Sequence, residues 1–277
     1  MTILITGARG TVARSLVRQL HDAGHRVRAG GRVPAEVDAP AGVEVVAADP
    51  TRPGDLGPAL AGVEKVFVYA ERSGLGGFLA AAGAAGVRHV VLLSALGASP
   101  HAADAITRAH GEAERAVLDS GLEWSFVRPG GFATNRLMWA PMTRAGGPVL
   151  DPFPESQSAL VHEADVAAVA LAALTLPGQA GAIHSVTGPE SQTARRHAEL
   201  IGEAIGRPVE VAAQSLDDYQ ASLADRLPPD LLEARIARLA ALVGRAQPTT
   251  DTVRTVTGRP ARTFARWAAD HAADFTG

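Results

Sequence analysis

An apolar run, Thr2-Ile3-Leu4-Ile5-Thr6, passes straight into Gly7-Ala8-Arg9-Gly10-Thr11-Val12-Ala13 and then into a segment of helical periodicity. The spacing Gly7-x-x-Gly10-x-x-Ala13 asks three things of the backbone. Gly7 lets the chain reverse tightly. Gly10 leaves room for a ligand to reach amides at a helix N-terminus, where the dipole favours negative charge. Ala13 lets the helix lie close to the sheet. With a strand before it, a helix after it and a second strand ending about 20 residues on, this is the dinucleotide fingerprint in its required context. The chain holds 29 glycines, so the pattern alone would say little. The loop glycines with Thr11 and Val12 are the expected pyrophosphate cradle.

The end of the second strand selects among dinucleotides. An Asp or Glu there would bind the ribose hydroxyls of NAD. This strand instead ends Arg28-Ala29-Gly30-Gly31-Arg32, with no acid before Glu36. Arg32, assisted by Arg9 in the glycine loop, offers a bidentate partner to a 2′-phosphate, so NADP(H) is expected over NAD(H). The other reading is two solvated arginines: the sequence has a single lysine, Lys65, so arginine in place of lysine carries little weight. Asp49, ending the third strand, is placed either at the adenine edge or as the cap of the next turn.

The alternation continues. Strands are expected over 25–29, 43–47, 65–70, 89–94 and 124–128, and helices over 12–23, 56–60, 78–85 and 105–120, most of them stopped by glycine. Short apolar strands separated by helices imply crossovers and a parallel sheet covered on both faces. The fold expected is α/β, a Rossmann doubly wound sheet, with residues 1–131 as the dinucleotide-binding domain. Residues 132–277 then form mostly a smaller α/β substrate lobe, with returning elements that complete the sheet. There, helices are expected over 165–174, 194–205 and 231–242 and a strand over 182–186.

Composition excludes several classes. Net charge is −3, unsuited to gripping nucleic acid through its phosphates. Cysteine is absent, which removes disulfides, thiol nucleophiles and thiolate metal sites and fits a reducing cytoplasm. The apolar stretch 166–176 falls short of the ~20 residues of a membrane span, so no membrane partner is expected. No Gly-x-Ser-x-Gly elbow is present. His21 and His25 straddle the Gly24 stop, and His162-Glu163-Ala164-Asp165 reads as a helix cap, so no metal is expected.

Several stretches together resemble the NmrA-like atypical short-chain dehydrogenase/reductases, which include quinone reductases, triphenylmethane-dye reductases and non-catalytic redox sensors. They are Ile5-Thr6-Gly7-Ala8-Arg9-Gly10, Gly24-His25-Arg26-Val27-Arg28, Val90-Val91-Leu92-Leu93-Ser94, His110-Gly111-Glu112-Ala113-Glu114, Ser120-Gly121-Leu122-Glu123-Trp124, Val127-Arg128-Pro129-Gly130-Gly131-Phe132-Ala133-Thr134-Asn135, and the tail from Val256 to Phe264. The resemblance implies a Rossmann fold, an NAD(P) cofactor, and a nicotinamide end built by Ser94, the region of His110, and Pro129 to Phe132; Ala70, ending the fourth strand, is a further candidate for cofactor binding. It leaves open whether the protein is an enzyme or a sensor.

The wider superfamily protonates its substrate with a Tyr followed four residues later by Lys. Neither Tyr69 nor Tyr219 has that partner, and His110 stands in the general position of a lysine common in the NmrA-like pattern. Chemistry here must therefore need little acid catalysis. Hydride transfer to a flat conjugated acceptor such as a quinone, enone or aromatic polyketide-like compound fits, with His110 and Ser94 as the candidate catalytic groups. A non-catalytic NADP(H)-sensing regulator is the alternative. Aromatics form only 4% of the chain. Their enrichment over 132–153 makes Phe132, Asn135, Met138, Trp139 and Phe153 an expected lid over an apolar ligand, unless they only pack one lobe on the other. Trp124 is expected in the core. A monomer or homodimer is expected.

Overall fold

The structure, a computed structural model, describes residues 1–70 and 73–276. The first half runs β1 (Thr2–Ile5), α1 (Thr11–Asp22), β2 (Arg26–Gly31), β3 (Glu44–Ala47), α2 (Gly57–Leu60), β4 (Val63–Tyr69), α3 (Leu75–Ala84), β5 (His89–Leu93), α4 (Ala105–Asp119) and β6 (Glu123–Pro129). The second half runs α5 (Ala140–Arg144), β7 (Val149–Asp151), β8 (Gln157–Ser158), α6 (Glu163–Thr175), β9 (Ala182–Val186), β10 (Gln192–Thr193), α7 (Ala194–Ile205), β11 (Val211–Ala213), α8 (Leu216–Leu223), α9 (Pro229–Ala241), α10 (Thr252–Thr257), α11 (Phe264–Asp270) and α12 (Ala272–Thr276).

Seven strands form one sheet in the order β3-β2-β1-β4-β5-β6-β9, each pair parallel. The doubly wound α/β architecture is as the alternation of strands and helices requires. The period-two alternation of β1 shows how both faces are filled. Ile3 and Ile5 join one buried cluster with Leu16 and Leu20 of α1 and Val166 and Ala170 of α6. Leu4, between them, joins the other with Leu79 of α3 and Val117 of α4. The chain order reverses between β1 and β4, which opens the crevice at the carboxyl ends of the strands where ligands of such sheets bind.

Boundaries differ from the sequence expectation by small, explicable shifts. α3 begins at Leu75 rather than Phe78 because Gly74 holds φ +91° and turns the chain into the helix. A Cβ at Gly74 would lie 2.3 Å from the Pro50 carbonyl oxygen, so no other residue fits this turn. α6 begins at Glu163 because the His162 ring accepts the Ala164 amide and caps it. Trp124 is half-buried rather than fully core; its ring stacks on Phe126 at 4.2 Å. Among the described residues no helix is long and apolar enough to cross a membrane.

A further cluster lies beyond the strand ends, where Trp139, Ile201, Phe264, Trp267 and Phe275 pack together. It fixes the segment after β6 against α7 and α11. Strand β9 meanwhile returns to the sheet beside β6.

Candidate active site

The glycine loop is held by its own backbone. Gly7 takes φ +60°, its carbonyl accepts the Gly10 amide at 2.8 Å, and the Ala8 amide donates to the Gly30 carbonyl at 3.0 Å. Gly10 caps α1 without any side-chain hydrogen bond, and the first turn carries no acid. The amides of Thr11 and Val12 have no partner among the described residues and open onto a cavity. Two free amides at a helix N-terminus suit the pyrophosphate of a dinucleotide.

Tyr69, at the end of β4, completes this cradle, and sequence reasoning passed it over. Its hydroxyl oxygen accepts the Ala13 amide at 3.2 Å. Its ring lies so close to the loop that a Cβ on Gly7 would sit 2.8 Å from the ring, and one on Gly10 would sit 2.5 Å from the hydroxyl. The two glycines are therefore needed by a neighbour as well as by a ligand. Burial pushes the Tyr69 phenol up to about 12, so it stays neutral. Only its lack of a lysine partner was visible in the sequence; Lys65 donates instead to the Leu174 carbonyl at 2.6 Å.

Two cavities meet at Gly10, Tyr69 and Ala70. The first, of about 490 Å³, runs from Gly7 and Arg9 past Gly31, Arg32 and Ala48 to Leu75 and Phe78. It is the natural adenosine end, since it follows β1 and β2. Arg32 is exposed at its rim, whereas Arg9 forms an ion pair with Glu36. Asp49 caps a turn, the second of the two roles its position offered. Its carboxylate accepts the Thr51 hydroxyl at 2.8 Å and the Thr51 amide at 3.0 Å, and these bonds hold it below the usual carboxylate range. Its neighbours Ala48 and Pro50 line the cavity, and Asp49 itself does not.

The second cavity, of about 440 Å³, continues over the ends of β5 and β6. Ser94 and His110 both line it. The Ser94 hydroxyl donates to Glu114 Oε1 at 2.5 Å. Glu114 is buried and takes two further bonds from Arg128, Nε at 2.8 Å and Nη2 at 2.5 Å. The two guanidinium bonds raise Arg128 above its ordinary value. With its one proton committed, Ser94 presents only lone pairs to the cavity and can accept a hydrogen bond but not donate one. His110 projects from α4 beside Gly111. A Cβ at Gly111 would lie 2.0 Å from the Ser99 carbonyl carbon, so this glycine lets α4 press onto the loop after β5 and sets how far His110 reaches.

Pro129, Gly130, Gly131 and Phe132 form the floor beyond β6. Of the expected lid, Phe132 and Asn135 line the cavity, whereas Met138, Trp139 and Phe153 do not. Trp139 is fully buried. The reason is that residues 133–139 form a 3₁₀ helix, in which residues three apart share a face. Ala133, Arg136 and Trp139 therefore turn inward together. Arg136 reaches the cavity wall with its guanidinium 4.3 Å above the Trp139 ring, paired with Asp151 at 3.3 Å. Met138 turns to the other side, where its sulfur accepts from Arg235 at 3.6 Å. Phe153 is held by its amide to Asp151 at 2.8 Å. The facing wall is supplied by α9 and the residue after it, through Arg235, Arg238, Leu239 and Leu242. The signal was present in the sequence as an amphipathic segment, but nothing in its periodicity says which cavity that face would meet.

A family profile described as NAD(P)H-binding matches residues 7–177. Over 99% of both chains, the sequence is 40% identical to a (4-alkanoyl-5-oxo-2,5-dihydrofuran-3-yl)methyl phosphate reductase of Streptomyces griseus. It is 37% identical, over the same share of each chain, to an NAD(P)H azoreductase of Xenophilus azovorans. Among solved structures it is similar to the NADPH-dependent quinone oxidoreductase of Escherichia coli in complex with NADPH. That match has a TM-score of 0.80 at 25% identity and covers 97% of this chain and 99% of the other.

Proposed function

The chain belongs to the NAD(P)H-binding family, among the NmrA-like atypical short-chain dehydrogenase/reductases, and is an NAD(P)H-dependent reductase; from that premise we propose that it passes hydride from NADPH to the conjugated double bond of a flat carbonyl acceptor or quinone. The observation that carries this reading is the hydrogen-bonding state of Ser94. The superfamily's proton donor is missing, and the hydroxyl that faces the cavity gives its proton to Glu114. A plain ketone accumulates charge on one oxygen as hydride arrives and needs a donor there. A conjugated acceptor spreads that charge, so protonation can follow from His110 or water.

The relatives support the same reading. An oxo-dihydrofuran contains a ring alkene conjugated to a carbonyl, and azo compounds and quinones are also delocalised acceptors. They favour the enzyme over the sensor. The residues divide the work. Thr11 and Val12 amides hold the pyrophosphate and Arg32 the 2′-phosphate. Ser94 accepts from a ligand N–H, and Pro129 to Phe132 supply a surface for the rings. NADPH supplies the hydride.

The test is a panel of acceptors followed by loss of NADPH absorbance. We expect a quinone and a conjugated lactone to turn over, and cyclohexanone to be slower by about 100-fold or more, the usual worth of a positioned acid. Equal rates with cyclohexanone, or none with any conjugated acceptor, would overturn the proposal.

A further inference from the structure

The cavity over the strand ends is lined by positive charge that no acid among the described lining residues neutralises. Arg235 and Arg238 stand three residues apart on α9, are both half-buried, and both line that cavity. Residues at this spacing share a helix face, and like charges there repel. Among the described residues, no Asp or Glu lines the cavity and neither arginine has an ion-pair partner.

Arg235 is fixed by neutral groups. Its Nε donates to the Tyr219 hydroxyl at 2.7 Å and one terminal nitrogen to the Met138 sulfur at 3.6 Å. Arg238 makes no hydrogen bond among the described residues. The acid that feels its charge, Asp104, already accepts the amide and hydroxyl of Thr107. Arg136, the third arginine of the cavity, pairs with Asp151, as Arg128 does with Glu114 and Arg28 with Glu44; half-buried Arg108 and Arg207 instead donate to backbone carbonyls. What sets Arg235 and Arg238 apart is that both line one cavity from the same helix, with no acid among its described lining residues.

We propose that Arg235 and Arg238 bind an anionic oxygen group, a phosphate or sulfonate, carried by the acceptor away from its reacting carbon. This rests on reading the cavity as the acceptor site. Planar guanidinium forks suit tetrahedral oxyanions, and a half-buried position strengthens the contact. Holding Arg235 against Tyr219 orients its fork before the ligand arrives, so less side-chain freedom is lost on binding.

The experiment compares 1,2-naphthoquinone with its 4-sulfonate in the wild type and in Arg235→Met/Arg238→Met, a change that keeps helix propensity. Circular dichroism confirms that the variant is folded. We expect the wild type to favour the sulfonate in kcat/KM, and the ratio of sulfonate to parent quinone to fall at least about tenfold in the variant, the worth of one charge-assisted contact. A ratio that is the same in both proteins would overturn the proposal. So would a variant whose defect is confined to NADPH affinity, because the arginines would then serve the cofactor. If neither quinone turns over, the acceptor reading fails, and calorimetric titration of NADP⁺-loaded protein with phenyl phosphate still decides. Binding that is lost in the variant supports the arginine site, and no binding to the wild type overturns it.

Discussion

Ser94 gives its hydroxyl proton to Glu114 across 2.5 Å, which makes the one serine at the end of β5 an acceptor toward the cavity. The relationship depends on Arg128, which holds both carboxylate oxygens of the buried Glu114. Removing one partner of such a pair leaves the other charge buried and uncompensated, at a cost of about 3 kcal/mol or more. We expect Arg128→Leu to lower stability by about that amount in urea unfolding. Arg128→Leu/Glu114→Leu should recover most of the loss while still losing activity. A double variant as unstable as the single one would contradict this account.

The two loop glycines should fail in different ways. Gly7 holds φ +60°, so Gly7→Ala carries a backbone cost of about 1–2 kcal/mol and should show in the unfolding midpoint. Gly10 holds φ −68° and ψ 149°, open to any residue, so Gly10→Ala carries no backbone cost and any loss of stability comes from the neighbour it meets. Its Cβ would meet the Tyr69 hydroxyl at 2.5 Å and crowd the amide cradle. Fluorescence titration with NADPH should show a dissociation constant raised by about tenfold or more.

Arg32 is expected to set the choice of cofactor, being exposed at the rim of the adenosine-side cavity. Arg9 is the weaker candidate because it is paired with Glu36. In Arg32→Ala the ratio of the dissociation constants for NADPH and NADH should rise by about tenfold, the loss of one charge-assisted contact. An unchanged ratio assigns the 2′-phosphate elsewhere.

A pH dependence follows from the joint between α6 and the C-terminal helices. His271 lies between two carboxylates, Glu163 at 2.8 Å and Asp274 at 2.7 Å, and the hydrogen bond to Glu163 raises it above its ordinary value. Burial opposes ionisation of Glu163, but the neighbouring imidazoles, His271 through a direct hydrogen bond, prevail and hold it far below the usual range. A raised histidine stabilises fully below its unfolded value of about 6.5 and loses that contribution as pH climbs through the folded value. The glutamate contributes above about 4.3 and is lost only in acid. Urea midpoints should therefore fall as pH rises from about 6.5. In His271→Leu this fall should flatten, and a wild-type midpoint that rose over the same range would refute the assignment.

Local pattern carried a large part of the fold. The strands of β1 to β6, the glycine stops and the helix over 194–205 are readable because apolar period and turn chemistry act within ten or so residues. Site residues supplied by those strand ends, Gly10, Ser94 and Pro129 among them, were readable for the same reason. Trp139 was not, because its inward turn depends on a 3₁₀ period that a single seven-residue segment is too short to mark. Asp49 admitted two roles, and the turn cap among them became visible only with Thr51 placed within reach of its carboxylate.

The sequence by itself determined the dinucleotide loop, the crossover sheet and the missing Tyr/Lys pair, since each is a matter of residue type at short spacing. Tertiary structure decided what the polar groups can do. It brought Glu114 to Ser94 across 20 positions, Tyr69 onto Gly10 across 59, and two α9 arginines to a cavity made by strand ends more than a hundred residues away. A hydroxyl becomes a donor or an acceptor, and an arginine becomes balanced or free, only through the neighbour that folding supplies.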